Sequence, residues 1–201
     1  MIADDVPPPA RPALRPVVAR VAALNLGYFG IEIAVALAIG SVALIADSLD
    51  FLEDAAINLL IFAGLGWSAR NRARLGTAMA GILLLPALAG AWAAYGKIAD
   101  FTAPAALPLT LAGLGALAVN LTCALMLARH RSGSGSLTRA AYLSARNDAY
   151  ANLAIIAAGL VTALHPSPWP DLVVAAGIAI LNADSAADIL KAAAAERRAA
   201  R

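Results

Sequence analysis

Asp47, Asp50, Glu53 and Asp54 set four carboxyl groups into a stretch, residues 41–67, that otherwise has the composition of a membrane-spanning helix. A further acid, Asp148, lies in a second apolar stretch far along the chain. A carboxylate at the centre of a bilayer helix costs roughly 2.5–3.5 kcal/mol on insertion scales. Four in one span amount to about 10 kcal/mol if they are charged and face lipid, so they must face something else. The natural companion of intramembrane acids is a cation. One arginine inside these stretches, Arg146, cannot neutralise all of them.

Helical geometry decides which acids can act together. At about 100° per residue, Asp47, Asp50, Asp54 and Asn58 fall within about 80° of arc on one face. Glu53 flanks that face. Ser144, Asp148 and Asn152 form a similar stripe on the second helix, and two such stripes can converge oxygen ligands on one ion near mid-bilayer. Asp50 with Asp54, and Ser144 with Asp148, are the pairs four apart that bracket such a site most simply. Asp47 has two readings, as a further ligand or as a cap or hydrogen-bond acceptor to a neighbouring helix. Arg146 points almost opposite Asp148, and a buried arginine needs a counter-charge, so Glu53 is its expected partner. Asn25 and Glu32, seven apart on one face, read as interhelical hydrogen-bonding groups.

The elements that must carry these residues are all helical and all membrane-bound. The chain has 201 residues, 61% of them hydrophobic, and a mean hydropathy of +0.76, well above a soluble domain of this size. Six stretches are long enough to span, near 17–39, 41–67, 73–95, 105–128, 137–164 and 169–190. The expected organisation is a tail over 1–16, a six-helix transmembrane domain over 17–190 and a short tail over 191–201. Thirteen basic residues fall on one side of this arrangement and only Lys97 on the other, which makes both termini cytoplasmic. Trp67, Trp92 and Trp169 lie near span ends, as interface anchors do.

Several function classes drop out. A single cysteine, Cys123, permits neither a disulfide framework nor a thiolate cluster and reads as packing. The acidic, proline-rich start MIADDVPPPARPALRP is not a signal peptide. There is no nucleophile–base pair, phosphate-binding glycine loop or cofactor motif, and His130 and His165 fall on opposite sides of the membrane, so an enzyme is not expected. The scattered arginines are explained by topology, and nothing points to nucleic acid. His165, among prolines, reads as an interfacial loop residue, and the glycine- and serine-rich run around His130 as a linker.

The run SVALIADSLDFLEDA, followed by an acid-bearing fifth span, resembles the cation diffusion facilitator (cation efflux) family of metal transporters. The resemblance implies six spans, cytoplasmic termini and a metal site on spans two and five. The family's paired ligands fall on Asp50 and Asp54, and on Ser144 and Asp148. Ser144 departs from the histidine or acid usual there, leaving the fourth ligand position to Asp47, Asn147 or water. Resemblance favours Zn²⁺, Co²⁺ or Cd²⁺; an all-oxygen site suits harder ions such as Mn²⁺ and Mg²⁺ better, with Fe²⁺ within range.

The cargo is thus a divalent metal ion, and no resident cofactor is expected. The family's usual cytoplasmic ferredoxin-like domain has no counterpart in this sequence, so a homodimer is expected to form through membrane helices. Three clustered carboxylates repel one another, so at least one retains a proton until a metal displaces it. The expected activity is therefore metal/proton antiport, with efflux from the cytoplasm implied by the resemblance. An integral protein of the bacterial inner (plasma) membrane, in contact with lipid, protons and its metal, is the expectation. The alternatives are a non-transporting membrane subunit or scaffold with a degenerate site, and a proton-coupled transporter of a small organic cation.

Overall fold

A computed structural model of the chain describes residues 10–64, 88, 92–97, 101–129 and 136–182. Four long helices run Ala10–Ile39 (α1), Val42–Gly64 (α2), Ala106–Ala128 (α3) and Ser136–Leu164 (α4), and a fifth covers Trp169–Asn182 (α5). Residues 92–97 are also helical, and there is no strand among the described residues. These bounds match five of the six apolar stretches. The third stretch lies mostly outside the described residues, as do 1–9 and 191–201. The helix α1 begins at Ala10, inside the expected N-terminal tail. Among the described residues three segments are long and apolar enough to cross a membrane: Leu14–Ile39, Ala106–Ala128 and Ser144–Leu164. The helix α2 has the length, but it carries four acids.

The tight turn between α1 and α2 has a complete hydrogen-bond account. Gly40 adopts a left-handed φ of 64°, and Ser41 N donates back to Ala36 O at 3.0 Å, the arrangement that closes a helix with glycine. Ser41 then starts the next helix, its Oγ accepting Leu44 N at 3.1 Å, as an N-cap serine does. The two N–H groups left over reach across the molecule. Val42 N and Ala43 N donate to the Asp171 carboxylate of α5 at 2.8 and 3.2 Å, and Ser41 Oγ donates to the same group at 2.5 Å. On the other side of the turn, Lys97 Nζ donates to Gly40 O at 2.7 Å. Phe101 meets Trp169 edge-on at 5.6 Å. Gly40, Lys97, Phe101, Trp169 and Asp171 thus gather at one end of the bundle, the turn end.

Packing divides the bundle into layers. At the turn end, Ala36, Val42, Leu44, Leu109, Ile155 and Ile178 belong to one apolar cluster. At the far end, Leu14, Val18, Ile61, Cys123, Leu127 and Ala145 belong to another. Between them the four long helices place most of their buried polar residues: Asn25 and Glu32 on α1, Asp47, Asp50, Asp54 and Asn58 on α2, Asn120 on α3 and Asn152 on α4. Large apolar side chains such as Ile31, Leu111, Leu125, Leu160 and Ile180 face outward, the inside-out pattern that lipid allows. Close approach of α3 and α4 depends on Gly159, where any Cβ would strike the Thr110 side chain and lie 3.1 Å from its backbone nitrogen.

Candidate metal site

The face of α2 predicted from helical spacing is the one that turns inward. Asp47, Asp50, Asp54 and Asn58 are all buried, while Glu53 is half-buried beside them. Asn58 Nδ2 donates to Asp54 O at 2.8 Å, staying on its own helix. The Asp54 side chain instead reaches α4, where Ser144 Oγ donates to its Oδ1 at 2.9 Å. Asp148, one turn further along α4, lies in the field of Asp54, then Asp50, Asp47 and Glu53. The stripes on α2 and α4 therefore face each other, as their spacing predicts.

Asp50 has a partner that the spacing does not reveal. Asn182, at the end of α5, donates from Nδ2 to Asp50 Oδ1 at 2.6 Å. Its sequence signal is a single amide in an otherwise apolar run, too weak to assign a contact across the bundle. Asp47, one turn toward the turn end, accepts Asn152 Nδ2 on Oδ2 at 2.6 Å. Asn152 Oδ1 in turn accepts Asn120 Nδ2 at 2.9 Å. The Asp47 carboxyl also lies against the Glu32 carboxyl of α1, within hydrogen-bond reach. Of the two α1 residues expected to make interhelical hydrogen bonds, Asn25 accepts Cys123 Sγ at 3.6 Å, while Glu32 has only the Asp47 carboxyl against it and no amide or hydroxyl donor on either oxygen.

The expected Glu53–Arg146 pair does not form. Arg146 is exposed, and its guanidinium donates to Asn147 Oδ1 at 3.3 Å. The apolar part of α4 begins only at Ser144, so Arg146 sits at its edge. There it can extend toward water and needs no buried counter-charge. Among the described residues no basic side chain pairs with the acids of the polar layer.

Among the described residues no three side chains of His, Cys, Asp or Glu converge as a ready-made metal cluster. Asp50 and Asp54 are each held by a neutral donor on a neighbouring helix. Among the described residues the arrangement offers oxygen ligands only, lies between two apolar layers and holds no basic side chain. Acidic oxygens without a basic neighbour suit a cation.

A search of curated proteins returned no match. The family model of the cation efflux transmembrane domain matches residues 18–196, a range that takes in most of α1 and the whole of α2 to α5. The acid-bearing α2 and its partner stripe on α4 sit within that range. The chain belongs to the cation efflux family, membrane transporters of metal cations.

Proposed function

We propose that this protein moves a divalent transition-metal ion across the membrane in exchange for protons, using Asp50, Asp54 and Asp148 as the ligands of a site between α2 and α4. The observation that carries this reading is the opposed pair of stripes, with Ser144 on Asp54 and, among the described residues, no basic group beside them. An entering ion takes the Asp50 oxygen that Asn182 leaves free and competes with Ser144 for Asp54, and Asp148 closes on it from α4. Ser144 contributes a neutral oxygen at most, so the site is weaker and harder than one with imidazole. Zn²⁺, Co²⁺, Cd²⁺, Mn²⁺ and Fe²⁺ are the ions to compare. Asp47 takes the hydrogen-bonding role of its two readings toward this site, because Asn152 occupies one of its oxygens.

Charge balance supplies the coupling. Carboxylates this close cannot all stay ionised without a cation, so an arriving metal releases protons and a departing metal takes them up. Proteoliposomes carrying a pH-sensitive dye test this directly. Addition of the substrate ion should produce a proton flux opposite to metal entry, absent from Asp54→Ala. Metal entry with no pH response would remove the antiport claim.

A further inference from the structure

Glu32 and Asp47 stand apart from the groups used above. Both are fully buried, at 0% exposure. Neither Glu32 Oε1 nor Oε2 has a hydrogen-bond partner, and neither does Asp47 Oδ1. Their carboxyls nonetheless face each other across α1 and α2. The nearby Tyr28 hydroxyl does not supply the missing donor, since it donates to Ala112 O at 2.6 Å. Asn152 is held by Asn120 so that only its NH₂ meets Asp47, on Oδ2. Three carboxyl oxygens are thus enclosed together and, among the described residues, no other side chain donates to them and no cation balances them; only a proton shared between the two carboxyls joins them.

Buried acceptors in native proteins are paired, and buried charges more strictly so. Two facing carboxylates carry the charge that one divalent cation balances, and their unpartnered oxygens are the ligand type such an ion takes. Asp47 also lies on the same face of α2 as Asp50 and Asp54, one turn nearer the Gly40–Ser41 turn. An ion leaving Asp50 toward that end meets this pair next. We propose that Glu32 and Asp47 form a second divalent-cation site, a station for the transported ion between the central acids and the turn end. This rests on the reading of the chain as a metal transporter.

The expectation that Glu32 serves hydrogen bonding between helices gives a different outcome in the same experiment. Equilibrium dialysis of purified protein against the ion found to be transported measures how many ions bind. The wild type should bind two ions, and Glu32→Gln or Asp47→Asn one. Asp54→Ala/Asp148→Ala should also bind one, and that variant combined with Glu32→Gln none. Glu32→Asp keeps the charge and should retain both ions, the second at least ten-fold more weakly. Monodisperse elution and an unchanged unfolding midpoint identify folded variants. A wild type that transports the ion but binds one, with Glu32→Gln binding the same, would overturn the second site and leave the transport reading intact. A wild type that neither transports nor binds any of the ions overturns both.

Discussion

Asn182 Nδ2 lies 2.6 Å from Asp50 Oδ1, so the last described residue of α5 holds a carboxylate on α2. This contact makes α5 part of the scaffold around the proposed site. With one oxygen engaged, Asp50 offers an ion its other oxygen and a fixed direction. Replacing Asn182 by Leu frees the carboxylate and removes a charge-assisted hydrogen bond of about 1.5–3 kcal/mol. The expected result is a rise of roughly ten-fold or more in KM for the metal, with the protein still folded. Glutamine should restore part of the affinity. Transport kinetics of Asn182→Leu and Asn182→Gln in vesicles check this, and an unchanged KM for the leucine variant would dismiss the positioning role.

Asp171 ties the start of α2 to α5 through Val42 N, Ala43 N and Ser41 Oγ. Asp171→Ala leaves those buried donors without an acceptor, at about 1–3 kcal/mol for each group left unsatisfied. The unfolding midpoint in detergent should fall clearly, and Asp171→Asn should lie between the two, since its single oxygen satisfies part of the set. A midpoint for the alanine variant equal to wild type would mean that water or another group caps the helix.

Gly159 and Gly177 give opposite expectations for the same change. A methyl at Gly159 meets the Thr110 side chain and backbone, whereas one at Gly177 meets nothing within 4 Å among the described residues. Gly159→Ala should destabilise by about 1–3 kcal/mol through overpacking. Gly177→Ala should be neutral or stabilise by up to about 1 kcal/mol through helix propensity. Thermal unfolding of the two variants side by side checks the α3–α4 contact.

Much of the fold is legible in the sequence because apolar run length and glycine punctuation are local properties. Gly40 and Ser41 fix the α1–α2 turn, and 3.6-residue periodicity alone turns Asp47, Asp50 and Asp54 to one face. The contact of Ser144 with Asp54 follows from two stripes that need each other. Asn182 on Asp50 does not follow, because the register of α5 against α2 is set by packing across 132 residues of sequence separation. The Arg146 expectation fails for a related reason. Charge need identifies that an arginine wants a partner, but depth in the membrane decides whether it needs one, and α4 becomes apolar only at Ser144. Glu32 carries a signal, a lone acid in an apolar helix, that reads equally as hydrogen bonding or as ligation until its surroundings are known.

Ser144 is where the proposed site differs from one that bears an imidazole. Its hydroxyl already points at Asp54. Ser144→His adds a nitrogen ligand beside three carboxylates, which favours Zn²⁺ over Mn²⁺. The ratio of Zn²⁺ to Mn²⁺ uptake should rise by ten-fold or more, measured in competition. An unaltered ratio would indicate that position 144 does not contact the ion.

The most direct measurement is metal uptake into proteoliposomes or everted vesicles, with Zn²⁺, Co²⁺, Mn²⁺, Cd²⁺ and Fe²⁺ run in parallel. Wild type is compared with Asp54→Ala and Asp148→Ala, one acid from each facing helix. The account predicts saturable uptake of at least one ion by the wild type, reduced at least a hundred-fold in both variants while they remain folded. Uptake that survives loss of both acids, or no uptake of any ion by well-folded wild type, would contradict it.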